Sequence, residues 1–515
     1  MTGEVFAAID VGSYEMALKI FELSEKTGVR ELDHVRHRMD LGSETYATGQ
    51  IGSSHVDEMI RILSEFRQIM KSYGATHYKA YGTSAIRETR DIGILQELIR
   101  QRTHIQVDVL SNSEQRFLDY KSIALKSKQF QEIIKKPTAI IDIGGGSIQI
   151  SLFEKDALVA TQNLKTGVLR LHAIMQTVQA TRLKYFDFIS ELVNTQLSVF
   201  SKMYLKDRKI ENIIFIDDYV SPVLRRVKNE PGKVGYVSAE EYLGFMENSK
   251  DVNSSKVAKR LNIPEENIPL LYVSAILIKC ILNITKAEHL WAPGVTLCDG
   301  IAYEYAEKKN YIKTPHDFEH DIVSCAQNIS KRYMGSKVRR ETLWQIASTI
   351  FDNTKKMHGL TKRDRLLLQV ATMLHDCGKY ISMINLGDCS YNIIMSTEII
   401  GLSHKERQIV ANVVRYNHEE FDYFGSHSPY MEGLSYGEYL KVAKLTAILR
   451  VTNGLDRTHN QKFKDIKVSV KGKEMIINID TREDITLEKG LFANRASFFE
   501  EVFGIRPVIR QNRII

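Results

Sequence analysis

The sequence predicts an α/β protein with two similar lobes, followed by a largely helical domain and a small α+β domain. Three observations lead to this prediction: an internal repeat of a strand–turn–strand unit, strand patterns that alternate with helix patterns in the first part of the chain, and a change to helical periodicity after about residue 311. The 515 residues also exceed what one hydrophobic core usually organises, so several domains are expected.

The internal repeat consists of an apolar strand that ends in Asp, a tight turn of Gly and Ser, and a second strand of alternating polarity. The first copy spans residues 5–21 and turns after Asp10, and the second spans residues 138–153 and turns after Asp142. Each copy predicts a β-hairpin with a loop of phosphate size at its tip. Two such hairpins predict two lobes that face each other across a cleft.

The segment between the two copies alternates between helix and strand patterns. Residues 54–73 carry an apolar stripe at helical spacing, with Ser54 as the predicted N-cap. Strand-like segments follow at 78–82 and 105–110, and Ser113 is placed to cap a further helix. This alternation is typical of α/β lobes.

The chain changes character after the second lobe. Residues 313–315 resemble a linker, and residues 361–374 open a helical region with broad apolar faces. The end of the chain predicts two strands around a turn at 471–473, a helix near 495–502 and a strand near 507–509. We therefore predict lobes at 1–124 and 125–312, a helical domain at 313–460 and an α+β domain at 461–515.

Composition excludes several classes of protein. With 43% hydrophobic and 26% charged residues the chain is an ordinary globular sequence. The five cysteines form no CxxC pair, which argues against a disulfide framework or a zinc ribbon. The first residues lack the basic region of a signal peptide, and the longest apolar run, 270–284, is too short to span a bilayer and contains Lys279. We expect a cytoplasmic protein without a membrane or specific nucleic-acid partner.

The turns of the repeat carry the pattern of a phosphate site. Three successive glycines let backbone N–H groups approach an anion closely, and a carboxylate at each strand end suits Mg²⁺. The alternative is a glycine-rich hairpin with a purely structural Asp, but the duplication favours function. We predict Mg²⁺ at Asp10 and Asp142, and we predict that phosphate binds Asp10, Gly12, Ser13, Gly144, Gly145, Gly146 and Ser147.

Several motifs together resemble those of a known enzyme family. In order, they are IDVGS at 9–13, GTSAIR at 82–87, SNSEQ at 111–115, IDIGGGS at 141–147, KTGVLR at 165–170, MLHDCG at 373–378 and LRVTNGLDR at 449–457. This order resembles that of the exopolyphosphatase/guanosine pentaphosphate phosphohydrolase (Ppx/GppA) family. The resemblance covers nearly the whole chain.

The resemblance implies a fold, a reaction and a cofactor. The fold is two actin-like (ASKHA, ribonuclease H-like) lobes, followed by an all-α HD-type domain and a small α+β C-terminal domain. Members are hydrolases that remove terminal phosphate from inorganic polyphosphate or guanosine pentaphosphate with Mg²⁺, and the resemblance suggests a homodimer. The choice between the two substrates stays open at this point.

The resemblance also implies roles for individual residues, with departures from the family pattern. Arg87 resembles the phosphate-binding arginine, and Glu114 with Gln115 stands where the family has two glutamates, the second being the catalytic base. Gln149 likewise replaces a glutamate after the glycine loop. An amide cannot accept a proton from water as a carboxylate does. We name Glu114, Arg87 and Gln115 as catalytic candidates, although neighbouring helical residues point about 100° apart.

Three functions follow from these features. The first is a Mg²⁺-dependent phosphoanhydride hydrolase, for which Glu114 is the nearest remaining base. The second is a regulatory protein that binds polyphosphate or a nucleotide through a degraded catalytic site, which the glutamines favour. A sugar- or acetate-kinase-like ATPase is the weaker third, because residues 213–219 lack the Gly-Gly-Thr of another phosphate-binding turn.

A second candidate site lies in the helical region. His375 and Asp376 resemble the central pair of a metal-dependent HD domain, and Asp456 suits a later ligand. Arg340 stands where the first histidine is expected, and His358 falls in a turn. Because the ligand set is incomplete, we predict that this domain holds no catalytic metal.

Overall fold

A computed structural model describes residues 3–155, 157–178, 185–206, 208–216, 220–227, 235–249, 252–313, 316–463 and 465–512. It divides into two compact units, Met1–Asp317 and Phe318–Ile515. The predicted boundary between the lobes and the helical domain lay nearby, at 312/313. Most of the predicted linker at 313–315 and the end of the segment 213–219 lie outside the described residues.

The first unit begins with a lobe built on a five-stranded sheet, which we call lobe I. Its elements in chain order are β1 (Glu4–Val11), β2 (Glu15–Ser24), β3 (Gly28–Arg38), α1 (Leu41–Thr48), α2 (Ser53–Ser72), β4 (His77–Gly82), α3 (Ser84–Glu88), α4 (Ile92–Thr103), β5 (Asp108–Val109) and α5 (Asn112–Ala124). The strand order is β3-β2-β1-β4-β5.

A second lobe, lobe II, follows on a six-stranded sheet. Its elements are α6 (Ser127–Ile134), β6 (Thr138–Ile143), β7 (Ile148–Glu154), β8 (Ala157–Leu164), α7 (Val168–Thr177), α8 (Tyr185–Phe200), β9 (Asn212–Ile216), α9 (Val220–Leu224), β10 (Tyr236–Ser238), α10 (Ala239–Glu247), α11 (Ser254–Leu261), α12 (Ile268–Thr285) and β11 (His289–Trp291). The strand order is β10-β11-β9-β6-β7-β8.

The two sheets share one topology. In lobe I, β1 pairs antiparallel with β2 and parallel with β4, while β2 pairs antiparallel with β3. In lobe II, β6 pairs antiparallel with β7 and parallel with β9, while β7 pairs antiparallel with β8. The internal repeat of the sequence thus corresponds to the central hairpin of each sheet, as predicted.

Helix α13 (Leu297–Lys308) returns to lobe I although it follows lobe II in sequence. Its Cys298 and Ile301 share a buried core with Phe6 and Phe21 of the first sheet. The predicted boundaries had placed residues 297–308 in the second lobe. The sheet of lobe I needs an apolar cover on this face, and the helix that supplies it arrives from far along the chain.

Helix α12 is the longest apolar segment of lobe II. By length and composition it is the one helix of the described residues that could span a membrane, and 61% of its apolar window is buried within the protein. Leu271, Leu277 and Ile281 belong to the core of lobe II, together with strand residues of its sheet. Its surroundings are those of a core helix.

In its described part, the second unit contains seven helices, followed by a three-stranded sheet with an eighth helix. The elements are α14 (Phe318–Arg332), α15 (Lys337–Asn353), α16 (Lys355–His358), α17 (Lys362–Leu374), α18 (Leu386–Ser396), α19 (His404–Tyr416), α20 (Tyr436–Leu455), β12 (Ile466–Lys471), β13 (Glu474–Asp480), α21 (Thr486–Phe503) and β14 (Arg506–Asn512). The sheet order is β12-β13-β14, and α21 packs on α20, so the strands and helices form one compact body.

Two predicted helix starts differ from the observed ones. Helix α2 is capped by Gly52, without a side-chain hydrogen bond, rather than by Ser54. Helix α5 is capped by Ser111 rather than by Ser113, because Ser111 forms a reciprocal capping box with Glu114.

Candidate active site

The two hairpin turns are built alike. The N–H of Gly12 donates to the carbonyl of Glu15 at 3.0 Å, and the N–H of Gly144 donates to the carbonyl of Ser147 at 2.9 Å. A Cβ at Gly12 would lie 2.7 Å from the Glu15 carbonyl oxygen, so the turn requires glycine there. These two amides close the turns, although the sequence pattern placed them among the phosphate ligands.

The tips of the two hairpins face each other and touch. A Cβ at Gly145 would lie 3.3 Å from the Ser13 Cβ, and one at Gly146 would lie 2.5 Å from the Tyr46 hydroxyl. A side chain at Gly146 would have to displace the Tyr46 hydroxyl, so glycine suits this close approach of lobe II to lobe I. The hairpins therefore meet as the repeat predicts.

Three backbone N–H groups at this meeting point remain uncommitted. The N–H groups of Ser13, Gly145 and Gly146 make no hydrogen bond within the described part of the chain. Ser13 and Gly146 are also buried, and a buried N–H without a partner is unfavourable. Amides of this kind, on two facing turns, form a cradle for an anion.

Tyr46 and Arg170 border the cradle, and the sequence reasoning gave them no role. The Tyr46 hydroxyl lies 2.7 Å from the Ser13 Oγ and donates to the Ser84 Oγ at 3.0 Å. The Arg170 guanidinium stacks 4.3 Å from the Tyr46 ring centroid and pairs with Glu88 at 2.8 Å. Burial raises the pKa of Tyr46, so the hydroxyl stays neutral.

Arg87 lies in the short helix α3 after strand β4. Its Nη1 donates to the carbonyl of Leu110 at 2.6 Å. Leu110 directly precedes Ser111, the cap of α5. This bond ties the end of β4 to the start of α5, the helix that carries Glu114 and Gln115. Its predicted role as a phosphate-binding arginine stays a prediction.

Glu114 has a structural function at the start of α5. Its Oε2 accepts hydrogen bonds from the Ser111 N–H at 3.0 Å and from the Ser111 hydroxyl at 2.6 Å. The carboxylate is thus held at the helix cap. Both bonds use Oε2, so a role as catalytic base, which stays a prediction, would fall to Oε1.

Gln149 is held by Arg116, a residue to which the sequence reasoning gave no function. The Arg116 Nε donates to the Gln149 Oε1 at 2.9 Å, and its Nη1 donates to Thr161. Both side chains are buried, and Gln149 lies across the strand pair from Asp142. The Gln149 amide oxygen is therefore occupied by an arginine of α5.

Asp119 adds a third carboxyl group beside the two predicted metal ligands. It is 3% exposed. Burial, followed by the charges of Asp142 and Asp10, raises its pKa well above the usual range, while Arg116 opposes this rise. Asp119 follows Gln115 by four residues, so the two lie on one face of a helix. This spacing was the sequence signal that could have placed Asp119 near the predicted site.

The predicted Mg²⁺ ligands fit that ion. Asp10 is the last residue but one of β1, and Asp142 is the last residue but one of β6, so the two carboxylates come from equivalent positions of the two hairpins. Mg²⁺ commonly takes one or two carboxylates and completes its shell with water and substrate phosphate oxygens. Among the described residues no group of three or more His, Cys, Asp or Glu side chains is arranged to hold a metal ion.

In the second unit, an arginine lies between the carboxylates of the candidate HD site. Arg339 contacts Asp376 at 3.2 Å and Asp456 at 3.3 Å, and donates to the Asn453 Oδ1 at 2.8 Å. The sequence pattern placed Arg340 where the first histidine ligand is expected. The Arg340 Nη1 donates instead to the Ser330 hydroxyl. One residue changes the direction of a helical side chain by about 100°, which explains the difference.

Three histidines of this unit contact backbone carbonyl groups. The His375 Nδ1 lies 2.8 Å from the Thr372 carbonyl, and burial lowers the pKa of His375 strongly. The His418 Nε2 lies 2.9 Å from the His375 carbonyl, and burial lowers the pKa of His418 to about 4. His358 bonds the Phe351 carbonyl at 2.9 Å.

Comparison with family models matches both units. Residues 23–309 match the Ppx/GppA phosphatase family, and residues 324–495 match Ppx/GppA phosphatase domain III.

Curated relatives are distant in sequence. Exopolyphosphatase 1 of Mycobacterium tuberculosis is 22% identical over 143 residues, which is 28% of this chain and 40% of the relative. The guanosine-5'-triphosphate,3'-diphosphate pyrophosphatase of Vibrio atlanticus is 18% identical over 464 residues, 86% of each chain. Thus the match spans less than half the length of the exopolyphosphatase 1 relative.

A solved structure shares the fold. The exopolyphosphatase of Cytophaga hutchinsonii aligns with a TM-score of 0.52 at 17% identity, over 59% of this chain and 98% of its own. An exopolyphosphatase-like protein aligns with a TM-score of 0.51 at 15% identity, over 60% and 100%. This similarity supports the predicted actin-like architecture of paired mixed sheets.

Proposed function

The chain belongs to the Ppx/GppA phosphatase family, and we propose on this basis that it releases terminal phosphate from inorganic polyphosphate or guanosine pentaphosphate. The observation that carries this proposal is the anion cradle, where the uncommitted N–H groups of Ser13, Gly145 and Gly146 lie on two turns that meet. A terminal phosphate group with its oxygens is a suitable occupant for such a cradle.

The residues around the cradle suit phosphoryl transfer to water. Backbone amides would hold the oxygens of the terminal phosphate, and Arg87 would approach them from the end of β4, stabilising charge that develops in the transition state. Asp10 and Asp142 would hold Mg²⁺, which neutralises charge on the phosphates when bound. Little covalent chemistry is needed from the protein, because positioning and electrostatics dominate this reaction.

A regulatory binding protein is the second candidate function. The pairing of Arg116 with Gln149 supports it, because a side chain that is a glutamate in the family pattern is here an amide bound to an arginine. Such a protein would bind the same ligands in the same cradle without turning them over.

We propose a supporting role for the second unit. In this proposal the helices form an HD-type domain in which the Arg339 guanidinium takes the place of the metal between Asp376 and Asp456. An arginine there neutralises the carboxylates without adding Lewis-acid chemistry, so the domain would serve structure or binding. We also propose a cytoplasmic location. We further propose a homodimer, and light scattering of the purified protein tests that oligomeric state.

The decisive experiment measures phosphate release from polyphosphate, guanosine pentaphosphate and ATP, with and without Mg²⁺. We expect release from one of the first two, dependent on Mg²⁺, and slow or no release from ATP. Binding of polyphosphate without release under any condition would favour the regulatory function. Efficient release from ATP alone would contradict the proposed substrate class.

A further inference from the structure

We propose that the second unit binds a nucleoside diphosphate in a cavity formed by α20, α21 and the segment that follows α19. The cavity has a volume of about 560 Å³, within the range of roughly 300–1,000 Å³ that is typical of small-molecule sites. All its lining residues belong to Phe318–Ile515, whereas the anion cradle belongs to Met1–Asp317. The site is therefore additional to the proposed catalytic site and does not depend on the hydrolase function.

Three arginines line this cavity. Arg450 lies near the end of α20, Arg457 lies just beyond the end of that helix, and Arg495 lies on α21. Gly454 lets the two helices approach here, since a Cβ at this position would lie 3.1 Å from the Arg495 Cβ. Guanidinium groups bind phosphate oxygens through paired N–H donors, so the cluster suits a ligand that carries phosphate groups.

Backbone carbonyl groups hold two of these arginines in place. The Arg450 Nε donates to the Tyr416 carbonyl at 2.7 Å, and its Nη2 donates to the Glu419 carbonyl at 2.6 Å. The Arg495 Nη1 donates to the Asn417 carbonyl at 2.6 Å. The Arg450 Nη1 and the Arg495 Nε and Nη2 donate to nothing in the described part of the chain. A ligand thus meets donors that are already positioned, which lowers the entropy lost on binding.

The charges of the three arginines are not neutralised by ion pairs. Across the residues that the structure describes, none of them lies in ion-pair contact with a carboxylate. Burial, followed by the charge of Arg495, lowers the pKa of Arg450 to about 10. Burial, followed by the charge of Arg457, lowers the pKa of Arg495. The guanidinium groups therefore repel one another, and a phosphate group between them would relieve this repulsion.

Three glutamates also line the cavity, and they limit the charge of the ligand. Glu501 accepts a hydrogen bond from the Tyr423 hydroxyl at 2.7 Å. A Cβ at Gly387 would lie 2.6 Å from the Glu419 Oε1, so this carboxylate lies against α18. Glu420 is exposed, where salt screens its charge. Because these acids surround the arginines, a compact diphosphate suits the cavity better than a long polyanion does.

An apolar wall beside the arginines suits a nucleoside base. Tyr423 and Leu491 line the cavity with 55% and 42% of their surface exposed. Phe498 lies beneath Arg450, whose guanidinium stacks 4.6 Å from the centroid of its ring. Bases stack favourably on aromatic side chains and on guanidinium planes. Phosphate groups at the arginines and a base at this wall together match a cavity that is larger than a phosphate group requires.

Calorimetry of the full chain with ADP tests the site, in the absence of Mg²⁺, which the arginines do not need. Arg457→Gln is the first variant, because this side chain is exposed and makes no hydrogen bond or ion pair within the described residues. We expect the affinity for ADP to fall roughly 10- to 100-fold, as for other charge-assisted contacts, without a change in melting temperature. Arg482→Gln, an exposed arginine of the same unit outside the cavity, is the matched control and should bind ADP as wild type does. Equal affinity in wild type and Arg457→Gln would overturn the proposal.

The ligand class is tested with pyrophosphate and adenosine on the wild-type chain. ADP should bind at least tenfold more tightly than either, because each of them offers only one half of the contacts. Pyrophosphate that binds as tightly as ADP would overturn the nucleoside assignment. Adenosine that binds as tightly as ADP would overturn the assignment of phosphate groups to the arginines.

Arg87→Ala separates this site from the anion cradle. The substitution changes the first unit, so the affinity for ADP should stay at its wild-type value. Loss of ADP binding in Arg87→Ala, without loss in Arg457→Gln, would place ADP in the first unit and overturn the proposal. Intact ADP binding that depends on Arg457, in a chain that releases no phosphate from any substrate, would support this site and contradict the hydrolase function alone.

Discussion

Arg339 offers the sharpest test of how the second unit is held together. It is buried and contacts two carboxylates, Asp376 at 3.2 Å and Asp456 at 3.3 Å, which are themselves largely removed from solvent. Arg339→Ala removes the cation that contacts the buried Asp456, while Asp376 keeps only Lys379 at 3.6 Å as a charged partner among the described residues. Breaking a buried ion pair by removing one partner usually costs about 3–5 kcal/mol.

The magnitude follows from the burial of all three side chains. Their exposed fractions are 6% for Arg339, 12% for Asp376 and 1% for Asp456, so water compensates little of the lost contact. In a unit of this size each kcal/mol shifts the melting temperature by about 2–4 °C, which predicts a loss of roughly 6–20 °C. Arg510→Ala removes an exposed arginine from Glu474 in the same unit and should cost about 0–1 kcal/mol.

Urea unfolding followed by tryptophan fluorescence measures both variants. The chain has two tryptophans, Trp291 in the first unit and Trp344 in the second. A Trp291→Phe background therefore reports on the second unit alone, and its own cost cancels between variants. If Arg339→Ala loses no more stability than Arg510→Ala, Arg339 is not the counterion of this site and the reasoning fails.

Three further predictions follow from the site. Arg87→Ala should weaken phosphate-ligand binding by roughly 1.5–3 kcal/mol in calorimetry, as expected for a charge-assisted contact, with a modest loss of stability because its bond to the Leu110 carbonyl is removed; unchanged affinity with a large loss of stability would assign Arg87 to structure. Gln149→Glu should not raise kcat, because Arg116 would pair with the new carboxylate, and a clear gain in kcat would contradict this placement. Burial lowers the pKa of His418 to about 4, below the usual value of about 6.5, so the unfolded chain binds more protons between these values. The free energy of unfolding should therefore fall as pH drops from about 6.5 to 4, and His418→Gln, which cannot titrate, should flatten this fall in urea titrations at several pH values.

Features that depend on residues close together in the sequence were predicted correctly. The two hairpins were visible because Asp10 and Asp142 each end an apolar strand and precede a glycine turn. Their meeting across the cleft followed from the repeat alone. Strand and helix types were also predictable along most of both units, with errors at helix ends such as the cap of α5.

Features that depend on packing were not predictable in the same way. The surroundings of Asp119 depend on the packing of α5, whose Arg116 bonds Gln149, a residue 33 positions away in the chain. The choice between Arg339 and Arg340 depends on one helical step of about 100°. The return of α13 to the first sheet depends on which surface remains uncovered after both lobes form.

The position of α13 has a consequence for synthesis on the ribosome. Lobe I is assembled from two stretches of chain, and its second stretch is made only after all of lobe II. Until α13 emerges, one face of the first sheet lacks its apolar cover, and Lys19 lacks the Asp299 carboxylate that it contacts at 2.9 Å in the finished protein. Domains usually fold in order as they leave the ribosome, beginning at the N-terminus. Here the N-terminal lobe must wait, so a nascent chain arrested before residue 297 presents an unfinished sheet that chaperones or proteases can recognise.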